Sequence, residues 1–261
     1  MIYRRAIAAF VAAALAMGGS SAATAQGATR VDLELALLVD VSGSVDAGEF
    51  ILQRDGYVNA FNNPSLFNDV ISRLPNRSIA VSYVYWAWSF EQAQLGGAGS
   101  WFLINSVATS QAFASAIAAF DRPFAGLTAP GSAIDFVRPQ FASNAYRGSR
   151  WVIDVSGDGV ENDGVSTAGA RDAALANGVD AINGLAILGD LGVEEFYRSS
   201  VRGGANSFVE VASGFDTFEV AVQRKIGREV NTIVPEPGTY LLRGTGLLML
   251  GVVGRMRTRG G

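Results

Sequence analysis

The stretch Val31-Asp32-Leu33-Glu34-Leu35-Ala36-Leu37-Leu38-Val39, followed by Asp40-Val41-Ser42-Gly43-Ser44, decides how the rest of the chain is read. It begins by alternating apolar and polar residues and becomes continuously apolar, the pattern of a central strand covered on both faces. Downstream, Asp46 and Glu49 have the three-residue spacing of a helix N-cap and its capping-box partner, and Phe50, Tyr57 and Phe61 repeat along one helical face. Ser78 to Trp86, Trp101 to Ile104, Trp151 to Val155 and Asp180 to Leu188 read as further strands, rich in Ile, Val and aromatic residues. Between them, Phe113, Ile117 and Phe120 stripe a helix that Pro123 ends, and further helices are expected over Ser132 to Val137, Val193 to Val201 and Asp216 to Val230. Tyr83 to Phe90 could serve as an aromatic binding platform, but a hydrophobic sheet face explains it better. Strands alternating with helices in this way predict an α/β fold with a doubly wound, mostly parallel central sheet flanked by helices.

The chain has 261 residues and contains neither Cys nor His. That absence excludes Ser-His-Asp and Cys-His catalysis, disulfide scaffolds, and thiolate or imidazole zinc sites. A bound metal would have to be a hard cation held by oxygen, such as Mg²⁺, Mn²⁺ or Ca²⁺. Doubly wound sheets take ligands at the carboxyl ends of their strands, so the polar clusters there are the places to look. Asp40 ends the first strand, and the hydroxyls of Ser42 and Ser44 follow it, with Gly43 expected to let the loop turn tightly. The strand Trp151 to Val155 runs into Ser156-Gly157-Asp158-Gly159, and Thr128 offers a third hydroxyl ahead of the helix at Ser132. An Asp and two Ser also suit a helix-cap turn. Asp154 rivals Asp158, but its place inside an apolar strand suits a supporting role in the core. Thr109 rivals Thr128, but it stands beside a helix start and suits a cap.

Asp40-x-Ser42-x-Ser44, then Thr128, then Asp158-Gly159 resembles the metal-ion-dependent adhesion site (MIDAS) of von Willebrand factor type A (VWA) domains, and the resemblance covers about residues 31 to 231. Gln53-Arg54-Asp55-Gly56-Tyr57, Ile182-Asn183-Gly184-Leu185 and Arg224-Lys225-Ile226 further resemble a secreted bacterial branch of that superfamily. The resemblance implies one divalent cation, Mg²⁺ or else Mn²⁺ or Ca²⁺. Ser42, Ser44 and Thr128 would bind it directly or through water, and Asp40 and Asp158 mainly through water or supporting hydrogen bonds. It also implies one position left for a ligand, commonly a carboxylate on a partner.

The two ends read as addresses. Arg4 and Arg5, the apolar run Ala6 to Met17 and Ala23-Thr24-Ala25 form the pattern of a signal peptide over residues 1–25. The domain is expected over 26–232. Residues 233–261 hold Pro235-Glu236-Pro237, an apolar segment from Tyr240 to Gly254 interrupted by Arg243, and the cluster Arg255, Arg257 and Arg259. This order resembles the PEP-CTERM sorting tail, which implies transient membrane association and removal by an exosortase-like processing enzyme; a plain membrane anchor is the alternative. The six terminal arginines leave 14 basic against 24 acidic residues for the rest of the chain, an acidic body that argues against nucleic acid.

Together these readings predict an exported, non-catalytic binding module at the cell surface or in a polysaccharide matrix, its ligand a protein or polysaccharide offering a carboxylate. Two alternatives belong to other classes. One is a structural matrix protein whose metal only stabilises the fold. The other is a phosphohydrolase-like enzyme with Asp40 as nucleophile, which would need a second acid where Ser42 stands.

Overall fold

A computed structural model describes residues 27–231, so the expected signal peptide and sorting tail lie outside the described residues. Ten strands are present among them: β1 (Thr29–Val31), β2 (Leu33–Asp40), β3 (Ile79–Trp86), β4 (Gln92–Gln94), β5 (Phe102–Ile104), β6 (Tyr146–Gly148), β7 (Trp151–Gly157), β8 (Ala181–Ile187), β9 (Gly203–Gly204) and β10 (Val209–Ala212). The helices are α1 (Ala47–Asn62), α2 (Val107–Ala118), α3 (Pro130–Val137), α4 (Gln140–Ser143), α5 (Thr167–Ala176), α6 (Val193–Phe196) and α7 (Phe218–Asn231).

The main sheet runs β10-β8-β7-β2-β3-β4, and its five strands from β10 to β3 are parallel. Short antiparallel strands finish it: β4 and β5 on β3, and β9 on β8. Antiparallel pairing at the margins of a parallel sheet is common in doubly wound folds.

β2 lies at the centre because nearly every residue in it is apolar and buried. Its side chains alternate between two cores, as the pleat requires. Leu33, Leu35, Leu37 and Val39 face α1, α2 and α7, where they meet Tyr57, Phe61, Phe113, Phe218 and Val222. Ala36 and Leu38 face α3, α5 and α6, where they meet Ile134, Val137, Ala170 and Tyr197. The expected single strand from Val31 is corrected: the chain breaks at Asp32 into β1 and β2. Asp32 is buried and its carboxylate accepts hydrogen bonds from the Asn76 backbone (2.9 Å) and side-chain amide (2.9 Å). Glu34 is buried too, accepting from Asn144 Nδ2 at 2.6 Å, the Gly148 N–H at 2.5 Å and Trp151 Nε1 at 3.1 Å. The polar half of the alternation therefore marks hydrogen-bonding posts that anchor the Asn76 turn and β6, not a solvent face.

The capping box of Asp46 and Glu49 forms as the spacing predicts, with both reciprocal bonds at 2.8 Å. Ser106 and Thr109 make a second one, which accounts for Thr109 as a cap. Among the described residues no helix is long and apolar enough to cross a membrane.

Candidate metal centre

Three loops at the carboxyl ends of the central strands bring the five expected residues together. Asp40 closes β2, and its Oδ1 accepts the Ser42 N–H at 2.7 Å, curling the chain back over the strand end. The Ser42 and Ser44 hydroxyls then stand 3.1 Å apart. Ser44 donates to Asp158 Oδ1 at 2.7 Å, and Thr128 Oγ1 donates to Ser42 Oγ at 3.4 Å. Asp40, Ser42, Thr128 and Asp158 are buried.

Gly43 serves a different purpose from the one expected. Its backbone is not left-handed; it lies against the Thr128 loop, where its N–H donates to the Gly126 carbonyl at 2.7 Å. Gly126 in turn has no room for a side chain, because a Cβ there would fall 1.7 Å from Trp88 Nε1. The Trp88 indole thus sits flat against the loop that carries Thr128. At Gly157, a Cβ would come within 2.5 Å of Asp40 Oδ2 and 2.7 Å of the Tyr197 hydroxyl, so the bare backbone of β7 lets Asp40 reach the strand beside it.

Several residues that the sequence reading missed hold this arrangement. Arg122 donates to the carbonyls of Val41 (2.7 Å), Ser42 (2.8 Å) and Val45 (2.8 Å), clamping the loop from behind. Asn162 accepts the Thr128 N–H at 2.7 Å, and its own N–H returns to the Thr128 carbonyl at 3.0 Å. Asp163 accepts the Ser89 N–H at 2.7 Å, tying the Trp88 turn to the Asp158 loop. Gln53 Nε2 donates to the Asp40 carbonyl at 2.7 Å. None of these pairs has a helical or strand spacing, so no periodicity announces them. The aromatic stretch Tyr83 to Phe90 divides in two: Tyr83, Tyr85 and Trp86 are core, whereas Trp88 and Phe90 stack beside the site and Phe90 is 76% exposed.

The charges of the site are poorly compensated by protein alone. Burial, and then the nearby Asp158 charge, push Asp40 up to about 7 despite the Ser42 N–H. Burial also raises Asp158, against the opposing pull of the Ser44 hydroxyl. Asp40 Oδ2 is buried without a hydrogen-bond partner, as is the Tyr197 hydroxyl that also approaches Gly157. A buried carboxylate oxygen left unpartnered is costly, and a cation among these oxygens would relieve that cost. Two carboxylates and three hydroxyls form an all-oxygen donor set, which suits a hard divalent cation and leaves it Lewis acidic. Among the described residues no three His, Cys, Asp or Glu side chains gather as a metal cage. Asp154 does not join the site. It lies in the middle of β7 against Lys225.

The family model described as a protein of unknown function, DUF1194, matches residues 30–234. Among solved structures the fold is similar to proximal thread matrix protein 1 from the mussel byssus, determined with a zinc-occupied MIDAS motif (TM-score 0.53, 17% identity, 77% of this chain and 45% of that chain). It is similar as well to a von Willebrand factor type A protein from Catenulispora acidiphila (TM-score 0.52, 12% identity, 77% of this chain and 43% of that chain). The VWA domain of SpRpn10 is a third (TM-score 0.50, 17% identity, 74% of this chain and 94% of that chain). The chain therefore spans less than half of the mussel and Catenulispora proteins and nearly the whole of the SpRpn10 domain. At these identities the likeness is one of fold. No curated protein matches the sequence.

Proposed function

The chain belongs to the DUF1194 family, and from that premise and the VWA-type fold we propose that it is an exported, metal-dependent binding module of the MIDAS type. One observation carries the reading: Asp40, Ser42, Ser44, Thr128 and Asp158 converge from three loops through a chain of hydrogen bonds, and one Asp40 carboxylate oxygen is buried with no protein partner. These five residues hold one Mg²⁺ or Mn²⁺, and the cation supplies an electrophilic point for an anionic group of a partner.

The rim supports binding over catalysis. Phe90 and, less fully, Leu127, Val160 and Val165 expose apolar side chains on the loops that carry the site. They form a surface for a protein or polysaccharide that presents a carboxylate beside apolar groups. A phosphohydrolase-like use of Asp40 would need a proton donor two residues on, and Ser42 is a neutral hydroxyl. In this reading residues 1–25 direct export, 26–232 form the domain and 233–261 are removed by an exosortase-like enzyme. The mature protein then lies at the cell surface or in the matrix.

Titration of the purified chain with Mg²⁺ and Mn²⁺ by calorimetry tests the centre. One site per chain is expected, and Asp40→Ala should abolish it; unchanged binding in that variant refutes the assignment. Capture of envelope components should then drop on chelation. Capture indifferent to EDTA, with the cation demonstrably bound beforehand, leaves the metal a structural role instead.

A further inference from the structure

Beneath the metal centre, inside the core between the sheet and α7, three ionisable side chains meet with no solvent access. Asp154, Lys225 and Glu229 are each fully buried. Lys225, the chain's one lysine, touches Asp154 Oδ1 through its Nζ and reaches Glu229 Oε1 at 3.0 Å. Asn183, beside Asp154 on β8, donates to Glu229 Oε1 at 2.9 Å and accepts the Phe208 N–H at 3.1 Å, so the glutamate is held in place. Asp154 Oδ2 has no hydrogen-bond partner. The Phe208 ring and the Tyr57 side chain help to close the space around this group.

A nucleophile, an electrophile and a proton carrier thus share one dry compartment. In water, a lysine and an aspartate stay apart as solvated ions. In a core, holding the ions is costly, while fixed contact removes the entropic barrier to bond formation. Burial, followed by the Glu229 charge, raises the Asp154 carboxyl, which favours its protonated, electrophilic form.

We infer that Lys225 and Asp154 condense into an intramolecular side-chain amide, an isopeptide bond, with Glu229 carrying the proton. A proton first passes from the ammonium to the Asp154 carboxylate, giving amine and carboxylic acid. The Nζ lone pair then attacks Cγ, forming the C–N bond and moving the carbonyl electron pair onto oxygen. Glu229 takes a proton from Nζ and delivers it to the hydroxyl. That C–O bond breaks, one water leaves, and the carbonyl re-forms. Glu229 ends as it began, and nothing is oxidised or reduced. The product is neutral where two buried charges stood, and it rivets the last helix of the domain to the central sheet.

Denaturing peptide mass analysis of the purified full chain decides the matter. Trypsin should release Trp151–Arg171 joined to Lys225–Arg228, lighter by one water than the two peptides together and uncleaved after Lys225. Glu229→Gln should lose the joined species, returning Trp151–Arg171 unlinked and restoring cleavage after Lys225. A native chain that cleaves normally after Lys225 overturns the proposal without recourse to any variant, leaving an ordinary ion pair. A link that loses ammonia and maps to Asn183 overturns the choice of Asp154. A full yield of the link in Glu229→Gln overturns the role of Glu229.

Discussion

Asp154 and Asp158 lie four positions apart, one inside β7 and one just past its end, and burial raises the pKa of both. Their surroundings answer that cost in opposite ways. Asp154 faces a lysine and a second carboxylate, so the protein itself supplies its partner, a counter-ion before the inferred amide forms and the bonded amine after it. Asp158 faces a serine hydroxyl, and its neighbour Asp40 faces little more than one backbone N–H. The core cluster is finished by the fold. The loop cluster is left electrically incomplete, and such incompleteness is what distinguishes a place that receives a ligand from one that supports a structure.

The contrast breaks first, and hardest, at Lys225. Replacing it with methionine removes the inferred link and strands two buried carboxylates, and about 3–5 kcal/mol of stability or more should be lost by chemical denaturation. Asp158→Asn, by comparison, should leave the metal-free fold within about 1 kcal/mol of the parent. If both variants unfold equally, the two clusters are alike in kind.

Binding should respond in the reverse order. Asp40→Asn is expected to weaken Mn²⁺ by about 100-fold or more in calorimetry, as loss of a liganding charge does, while the metal-free protein folds at least as well as the parent. The pH dependence sharpens the same point. Asp40 holds its proton to about pH 7 in the fold but only to about 4 in the unfolded chain, so without metal its contribution to stability declines as pH rises through that window. A cation needs the ionised form. Its affinity should therefore fall about tenfold per pH unit below 7 and level off above it. Burial also raises Asp154 wherever it is not joined to Lys225, so the difference between parent and Asp40→Asn isolates the effect. The smallest expected change lies far from both clusters: Thr109→Ala removes half of a capping box and should cost about 0.5–1 kcal/mol in thermal unfolding, with metal affinity untouched.

Much of this was legible in the sequence because it is written locally. The apolar run of β2, the Asp46–Glu49 spacing and the Asp-x-Ser-x-Ser turn each place their chemistry within a few residues of one another. What escaped lacks a local signal. α5 buries only Thr167, Ala170 and Ala174, residues too small to draw an apolar stripe. β10 is a short, partly exposed edge strand, and β4 is built on glutamines. The stretches quoted for their resemblance acquire physical reasons only in three dimensions: Gln53 holds the Asp40 carbonyl, Tyr57 donates to Ser156 at 3.1 Å, and Asn183 and Lys225 converge on Glu229. Asp154 looked like a supporting residue of the core, and so it is, but its partner sits on the last helix, where spacing gives no hint of it.

Arg122 has a consequence for which cation the loop can accept. Its guanidinium donates to the carbonyl oxygens of Val41, Ser42 and Val45, in and just after the Asp40–Ser44 turn, while Gln53 donates to that of Asp40. A large ion such as Ca²⁺ gathers about 6–8 oxygens and commonly recruits main-chain carbonyls to reach that number, whereas Mg²⁺ is content with fewer protein ligands and retains its own waters. With those carbonyls turned to an arginine, the loop of the proposed centre would offer a cation chiefly side-chain hydroxyls and carboxylates. A residue set behind the loop would thereby hold down the coordination number, and so tilt the proposed centre toward small, hydrated ions whose waters a partner's carboxylate could replace.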